Sequence, residues 1–150
     1  MKEIGIGIVG GGYMGKAHAV AMSAVGAVFN TNLRPRLEMV CGSSPKTSKK
    51  YCEAYGFKRA ANSWKELVKD EKVEAVIIAS PQNTHLKIAL MALSLGKPVF
   101  CEKPLGVSVE DGKKMVAAAE KSGAVNMIGF NCVETITLSC GLMNIGRGIC

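Results

Sequence analysis

The chain has 150 residues, 48% of them hydrophobic and 21% charged, which predicts one domain with a buried core and disfavours two full domains. Nineteen Lys and Arg against twelve Asp and Glu give a net charge of +7, which permits acidic ligands such as phosphates. Aromatic residues make up only 5% of the chain, which argues against the stacking platforms of a single-strand nucleic-acid binder. The apolar run 75–79 is far shorter than the about 20 residues of a membrane-spanning helix, so a membrane span is excluded.

Cysteine and histidine usage indicates the compartment. The six cysteines never form a CxxC pair, and the chain has only two histidines. The cysteines are Cys41, Cys52, Cys101, Cys132, Cys140 and Cys150. This pattern argues against a metal site and predicts reduced thiols, most of them small core residues. Met1 leads directly into a strand-like segment, so we expect no secretory signal and a cytoplasmic location.

Short β-rich runs alternate with helical patterns from the start of the chain to about residue 130. Strands are expected at 4–9, 36–41, 58–60, 73–79, 98–101 and 125–130. Helices are expected at 14–25, 45–55, 63–70, 86–95 and 108–122. Two serines are expected to cap helices: Ser44 precedes the helix-starting Pro45, and Ser63 pairs with Glu66 in a capping box. Glycines are expected to end four helices, at Gly26, Gly56, Gly96 and Gly123.

This alternation is typical of βαβ units on a parallel sheet. We therefore predict an α/β fold of the Rossmann type, a doubly wound parallel sheet between two helical layers in a three-layer αβα arrangement. The nearly all-apolar strand 73–79 is expected at the centre of the sheet. Residues 1–130 would form this dinucleotide-binding domain. Residues 131–150 show no sustained period, which predicts an irregular tail or the stump of an absent substrate domain.

A glycine-rich loop lies directly between the first strand and the first helix. Gly10, Gly12 and Gly15 fit the pattern GxGxxG. In that pattern the first glycine allows a tight turn, the second admits a pyrophosphate to the backbone, and the third permits close helix–strand packing. The helix N-terminus, with Tyr13 and Met14, would attract the phosphates. The alternative is a glycine-rich turn in another kind of α/β protein, such as a methyltransferase.

The end of the second strand bears on the choice of cofactor. A carboxylate there would accept hydrogen bonds from the adenosine ribose and repel a 2′-phosphate, but this strand ends without an acid. Ser43 and Ser44 offer hydroxyls, and Lys46, Lys49 and Lys50 offer positive charge. We therefore favour NADP over NAD. The alternative is that the lysines form an exposed helix face and that either cofactor is accepted.

Two further loops follow strands at the edge where open α/β sheets bind ligands. The candidate residues in these loops are Ser80, Pro81, Asn83, His85, Glu102 and Lys103. A lysine here can donate to a substrate hydroxyl or carbonyl. Taken alone, Glu102 and Lys103 resemble a surface ion pair and His85 a polar residue at a helix start. His18 is interpreted as a packing residue near the phosphate loop.

Together these segments resemble the Gfo/Idh/MocA oxidoreductase family. The resemblance rests on residues 6–18, 79–85, 96–104 and 128–131, and Glu-Lys-Pro at 102–104 is its most specific element. It implies reversible hydride transfer between NAD(P) and a sugar, polyol or related hydroxyl compound. It also implies that Lys103 contacts the nicotinamide ribose and the reacting hydroxyl, as the catalytic residue. By the same resemblance Glu102 helps to hold the cofactor, and Pro81, Asn83 and His85 line the nicotinamide side.

The chain departs from that family after Asn131. The family usually continues with an aromatic residue and an arginine, and then with a C-terminal domain that supplies substrate contacts, an Asp-x-x-x-His pair and the oligomer interface. Here Cys132 and Val133 follow, and no histidine occurs after His85. Hydride transfer needs a group that takes the hydroxyl proton. We therefore expect this chain to bind NADP(H) with little activity alone, as a natural fragment, an isolated domain or a truncated gene product.

Two other functions compete with the oxidoreductase. A non-catalytic NADP(H)-binding or regulatory protein fits the absent partner domain, but the Glu-Lys-Pro segment argues against it. Nucleic-acid binding fits the positive charge, but it lacks interleaved aromatic residues and a recognised motif. No nucleic acid or membrane is expected as a partner. A homo-oligomer is expected if the C-terminal domain is present.

Overall fold

A computed structural model describes residues 2–130 and contains six strands and five α-helices in that part of the chain. The strands are β1 (Lys2–Val9), β2 (Leu33–Cys41), β3 (Arg59–Ala60), β4 (Ala75–Ile78), β5 (Val99–Glu102) and β6 (Asn126–Gly129). The helices are α1 (Tyr13–Val28), α2 (Pro45–Tyr55), α3 (Trp64–Lys69), α4 (His85–Ser94) and α5 (Val109–Ser122). A short 3₁₀ helix at Gln82–Thr84 leads directly into α4. Among these helices, none is both long enough and apolar enough to cross a membrane.

The strands form one parallel sheet in the order β3-β2-β1-β4-β5-β6. The chain direction across the sheet reverses between β1 and β4, and the carboxyl ends of these strands border the crevice where doubly wound sheets bind ligands. One core cluster lies between the sheet and α1 and α2, around Ile8 and Val40. The other lies against α3, α4 and α5, around Leu67, Ile88 and Met115. The predicted Rossmann-type α/β fold, with helices on both faces and β4 at the centre, is confirmed.

Most helix ends agree with their sequence signals. Ser44 caps α2, Ser63 caps α3 and Ser108 caps α5, each through a side-chain oxygen that accepts a backbone N–H. Gly56 and Gly123 end α2 and α5 in the left-handed conformation, at φ of 77° and 62°. The structure alters one detail of the predicted capping box at α3. The Glu66 carboxylate accepts the N–H of Asn62 at 2.8 Å, one residue before the cap.

The prediction that Gly26 ends α1 is wrong, because α1 continues to Val28. Gly26 has no positive φ, and the Arg34 guanidinium lies 2.8 Å from where a Cβ on Gly26 would be. This glycine therefore provides space for a side chain of β2 rather than a helix stop. Strand β2 also begins earlier than predicted. It pairs along the whole of β1 from Lys2, and it tolerates Pro35 because β3 pairs only further along, at Met39 and Val40.

An ion-pair network ties the outer strands to α3. Glu38 on β2 is buried, 2% exposed, and accepts hydrogen bonds from the guanidinium groups of Arg36 and Arg59 at 2.8 and 2.9 Å. Arg59 also donates two hydrogen bonds to the Asp70 carboxylate, at 2.6 and 2.7 Å. The Arg59 hydrogen bonds lower the pKa of Asp70 to about 2. This carboxylate therefore stays charged well below neutral pH.

Of the described cysteines, Cys41 and Cys101 are buried in the core and Cys52 is half-buried beside it. Cys41, Cys52 and Cys101 are free thiols, and burial raises the pKa of Cys101 to about 12. Within residues 2–130, no group of three or more His, Cys, Asp or Glu side chains is placed to hold a metal ion. The predictions for residues 131–150, the tail and its three cysteines included, lie outside the described residues.

Candidate functional site

The glycine-rich loop is packed so closely that two of its glycines cannot carry a side chain. Gly10 has a φ of 100°, and a Cβ there would overlap the Ala79 carbonyl at the end of β4. Its N–H donates to the Cys41 carbonyl at 2.8 Å, so the loop is also tied to the end of β2. A Cβ on Gly15 would overlap the Gly10 carbonyl, which shows how closely α1 approaches the loop. These contacts hold the turn against two neighbouring strands.

Gly12 differs from its neighbours because its surroundings are open. A Cβ there would meet nothing within 4 Å. Gly12 is the N-cap of α1 without a side-chain cap, and the first turn of the helix has no acidic residue. Tyr13 and Met14 in that turn are 88% and 37% exposed. The backbone N–H groups at this helix start therefore face free space, which fits the pyrophosphate of a dinucleotide.

The loop after β2 is held by side chains from α2. The Gly42 N–H donates to the Ser48 hydroxyl at 2.9 Å, and the Ser44 N–H donates to the Thr47 hydroxyl at 2.8 Å. A Cβ on Gly42 would be 2.5 Å from the Thr47 hydroxyl oxygen, so this position has no room for an acidic side chain. Ser43 and Ser44 are exposed. Thr47 was not among the predicted site residues. Its one sequence signal is its position three residues after the N-cap Ser44.

Three lysines accompany these serines at the start of α2. Lys46, Lys49 and Lys50 are exposed, and the first turn of α2 contains no acidic residue. The end of β2 therefore has positive side chains and exposed hydroxyls and lacks a carboxylate. This is the environment that the sequence predicts beside a 2′-phosphate.

Glu102 and His18 form a hydrogen-bonded pair that the sequence did not predict. The Nε2 of His18 on α1 lies 2.7 Å from the Oε1 of Glu102 at the end of β5, and Glu102 is only 6% exposed. The other Glu102 oxygen accepts the Lys103 N–H at 3.3 Å. The ring of His18 packs edge-on against Phe100 at 4.9 Å, which agrees with its expected packing role. The pair fixes the Glu102 loop against the helix that begins at the glycine loop.

The buried side chain of His85 connects the two other candidate loops. It is 1% exposed, with Nδ1 3.0 Å from the Pro104 carbonyl and Nε2 2.8 Å from the Ser80 carbonyl. Both ring nitrogens face backbone carbonyls, one in each of the two loops. Any influence of these nitrogens on a cofactor therefore passes through the loops that they hold.

The remaining candidates lie at the surface of these loops. The Ser80 hydroxyl is 2.6 Å from the Thr84 hydroxyl, which in turn donates to the Pro81 carbonyl. Pro81, Asn83 and Lys103 are exposed. The structure thus gathers the glycine loop, the Ser80 loop and the Glu102–Lys103 loop at the carboxyl ends of β1, β4 and β5. The candidates at Ser43, Ser44 and Lys49 lie at the end of β2, the other neighbour of β1.

Two tyrosines on α2 also contact the glycine loop and were not among the predicted site residues. The Tyr55 hydroxyl donates to the Gly11 carbonyl at 3.0 Å, and the Tyr51 ring lies directly against Gly11. Their only sequence signal is the i, i+4 spacing on the helix that follows the loop after β2.

The fold and this edge of the sheet define a dinucleotide-binding domain of an NAD-binding Rossmann oxidoreductase. Residues 4–130 match the Gfo/Idh/MocA family model, described as "Oxidoreductase family, NAD-binding Rossmann fold". The chain belongs to this family, as its motifs predicted.

Relatives in this family include sugar and polyol dehydrogenases. Levoglucosan dehydrogenase of Pseudarthrobacter phenanthrenivorans is 30% identical over 149 residues, which are 99% of this chain and 38% of that protein. Inositol 2-dehydrogenase of Salmonella typhimurium is 33% identical over 126 residues, 83% of this chain and 36% of that protein. The chain therefore spans less than two-fifths of the length of these curated relatives.

Solved structures agree with this assignment. Levoglucosan dehydrogenase in complex with NADH and levoglucosan superposes with a TM-score of 0.89 at 30% identity, over 96% of this chain and 39% of that one. An NAD-binding oxidoreductase from Klebsiella pneumoniae also gives a TM-score of 0.89, at 33% identity over 97% of this chain and 39% of that one.

Proposed function

We propose that this chain is the cofactor-binding part of an oxidoreductase that transfers a hydride between NADP(H) and a sugar, polyol or related hydroxyl compound. The observation that carries the proposal is the direct bond between the phosphate-loop helix and the Lys103 loop. The His18 side chain on α1 hydrogen-bonds Glu102 at 2.7 Å, so the glycine loop and Lys103 are held at one edge of the sheet. The names of the relatives, a levoglucosan and an inositol dehydrogenase, support this substrate class.

Each proposed site residue has a physical task. A bound nicotinamide dinucleotide would supply the hydride acceptor for oxidation of a hydroxyl-bearing carbon, and the hydroxyl proton would need a separate acceptor. Lys103 is exposed at the mouth of the site and donates a hydrogen bond to the substrate oxygen, as the catalytic residue. Glu102 orients the Lys103 backbone through its 3.3 Å hydrogen bond. Pro81 and Asn83 form the exposed surface beside the nicotinamide, and the buried ring of His85 holds that surface in place.

The 150-residue chain alone is proposed to have little dehydrogenase activity. Both of its histidines are committed to protein partners, His18 to Glu102 and His85 to two backbone carbonyls. Neither is free to take the hydroxyl proton, and a proton acceptor is worth about 10²- to 10⁴-fold in rate. Oxidation of myo-inositol or levoglucosan by the purified chain at ordinary enzymatic rates, above about 1 s⁻¹, would contradict this proposal. A cytoplasmic location and a homo-oligomeric full-length enzyme stay predictions.

A preference for NADP(H) over NAD(H) forms the finer part of the proposal. Ser43 and Ser44 supply exposed hydroxyls, Lys49 supplies charge, and the packing of Thr47 leaves no room for an acid at Gly42. A phosphate on the adenosine ribose would meet these donors and no nearby repulsive charge from the first turn of α2. The relatives crystallised with NADH or NAD are separate proteins and leave this preference to be measured.

A charge reversal tests the preference. Lys49→Glu should raise the Kd for NADPH about tenfold, because a charged partner of the 2′-phosphate is replaced by a repulsive one. The Kd for NADH should change by less than about twofold, since NADH lacks that phosphate. Lys113→Glu on α5 makes the same change in net charge away from the site and should leave both values unchanged. Wild-type protein that binds NADH more tightly than NADPH would overturn the preference.

A further inference from the structure

Two tyrosines of α2 contact Gly11 in the middle of the glycine loop. The Tyr55 hydroxyl donates to the Gly11 carbonyl at 3.0 Å. The Tyr51 ring lies so close that a Cβ on Gly11 would overlap it. The two rings are stacked, with their centroids 5.6 Å apart and their planes at 12°. The two stacked tyrosines therefore both contact the loop, from the helix that also carries Lys49.

The Tyr55 hydrogen bond also sets the orientation of the Gly11–Gly12 peptide. Among the described residues the single cis peptide bond is Lys103–Pro104, so the Gly11–Gly12 peptide is trans. A trans peptide is planar, and its C=O and N–H point in opposite directions. Because Tyr55 holds the Gly11 carbonyl towards α2, the Gly12 N–H must point away from α2.

The Gly12 N–H is available to a ligand. No residue in the described part of the chain accepts a hydrogen bond from it. The space around Gly12 is open, since a Cβ there would meet nothing within 4 Å. The bond to Tyr55 thus orients a donor at the start of α1, where an anion is stabilised by the helix dipole.

We propose that Tyr55 is a positioning residue for dinucleotide binding, which holds the Gly11–Gly12 peptide so that the Gly12 N–H donates to the pyrophosphate. The inference rests on the proposed function of the loop. Tyr51 supports this arrangement by packing on Gly11. Gly11 has no positive φ, and the three atoms nearest to a Cβ placed there all belong to the Tyr51 ring.

Removal of one hydroxyl tests the proposal. Tyr55→Phe keeps the ring stack and removes the bond to Gly11. The Kd for NADH, measured by calorimetry on the 150-residue chain, should rise about three- to tenfold, the range of one neutral hydrogen bond. The Kd for adenosine, which lacks the pyrophosphate, should not change. Ser94→Ala is the matched control, because it removes a hydroxyl that donates to a backbone carbonyl, that of Met91, away from the site.

The outcomes separate this inference from the proposed function. If wild-type protein binds no dinucleotide, the proposed function fails. If wild type binds NADH and Tyr55→Phe binds it equally well, the positioning role is wrong. Equal losses for NADH and adenosine would reduce Tyr55 to a general structural residue and would also overturn the inference.

A second pair of variants tests the Tyr51 contact. Gly11→Ala should weaken NADH binding, because the new methyl group displaces the loop from the Tyr51 ring. Adding Tyr51→Ala should recover binding relative to Gly11→Ala alone, since the obstructing ring is gone. Thermal unfolding of each variant confirms that it is folded. Failure of the double variant to recover any affinity would contradict the packing that the structure assigns.

Discussion

At the scale of single residues, the glycines of the phosphate loop are required for different physical reasons. Gly15 leaves space for the Gly10 carbonyl, so it serves the packing of α1 on β1. A Cβ on Gly12 would meet no protein atom within 4 Å, and the proposed function assigns this open space to the ligand. The pattern GxGxxG located both, but it cannot say which glycine maintains the fold and which maintains binding.

This difference predicts opposite phenotypes for two alanine variants. Gly15→Ala should lower the free energy of unfolding by about 1–3 kcal/mol, because its methyl group forces the backbone of Gly10 to move. Gly12→Ala should cost no more than about 1 kcal/mol, since alanine is a poorer N-cap than glycine, and should raise the Kd for NADH at least about tenfold, because its methyl group would occupy the proposed pyrophosphate site. Urea denaturation and calorimetric titration measure the two quantities. Normal NADH binding by Gly12→Ala would refute the assignment of that space to the ligand.

Several site residues could be predicted from sequence because they lie in contiguous motifs. The roles of others depend on distant partners. Tyr55 bonds Gly11 across 44 positions, and His18 bonds Glu102 across 84. Neither pairing has a local pattern, because it exists only once the sheet is assembled. His85 was among the candidate residues, but its burial between two carbonyls could not be inferred from its place at a helix start.

At the scale of elements, the His18–Glu102 bond joins α1 to the end of β5. His18→Leu leaves the Glu102 carboxylate buried without this partner and should cost about 1.5–3 kcal/mol of stability. Glu102→Gln in that background should recover part of the loss, so a double-mutant cycle should give a coupling energy of about 1 kcal/mol or more. Urea denaturation of the four proteins measures it.

The exposed Glu110–Lys114 pair on α5 is the matched control for this cycle. Its charged atoms are 3.7 Å apart, and both side chains are more than half exposed. Solvent screens such a pair, so its coupling should fall within experimental error. A coupling for His18–Glu102 no larger than that of the α5 pair would contradict the role of the buried bond.

The element boundaries show where local sequence signals decide structure. Gly56 and Gly123 end their helices in the left-handed conformation, as their positions predicted. Gly26 is no helix stop, because the close approach of Arg34 from β2 gives the glycine a packing role instead. The early start of β2 also depends on contacts with another element of the fold. Its pairing with the whole of β1 extends the strand beyond what its own residues indicate.

At the scale of the whole molecule, acid should weaken the ion-pair network at Asp70. The Arg59 hydrogen bonds lower the pKa of Asp70 from 3.8 in its ordinary state to about 2, so the folded state favours the charged carboxylate. The resulting stabilisation, about 1–2 kcal/mol, is fully present above about pH 4 and is lost as the pH falls towards 2.

Denaturation by urea at a series of pH values between 5 and 2 measures this dependence. Asp70→Asn is the control, because it cannot titrate and should lose less stability than wild type over the same interval. The Asp70 carboxylate also faces the positive charge of Lys97 and accepts the Lys72 N–H at 2.9 Å. Equal slopes for wild type and Asp70→Asn would show that Arg59 does not hold the carboxylate as described.

The overall architecture could be predicted because alternating strands and helices admit few arrangements, and parallel crossovers restrict these further. The family could be predicted because its most specific motif, Glu102-Lys103-Pro104, is short and contiguous. Substrate choice could not be predicted. Pro81, Asn83 and Lys103 are exposed, and three exposed side chains do not define the contacts that select one hydroxyl compound over another.

The carboxyl edge of this sheet is proposed to bind a nicotinamide dinucleotide. Calorimetric titration of the 150-residue chain with NADPH, NADH and a short DNA duplex, each at low and high salt, tests it most directly. We expect one saturable dinucleotide site with a Kd in about the micromolar to millimolar range and no specific duplex binding. Steeply salt-dependent binding of the duplex, with no binding of either dinucleotide at about 1 mM, would contradict the account.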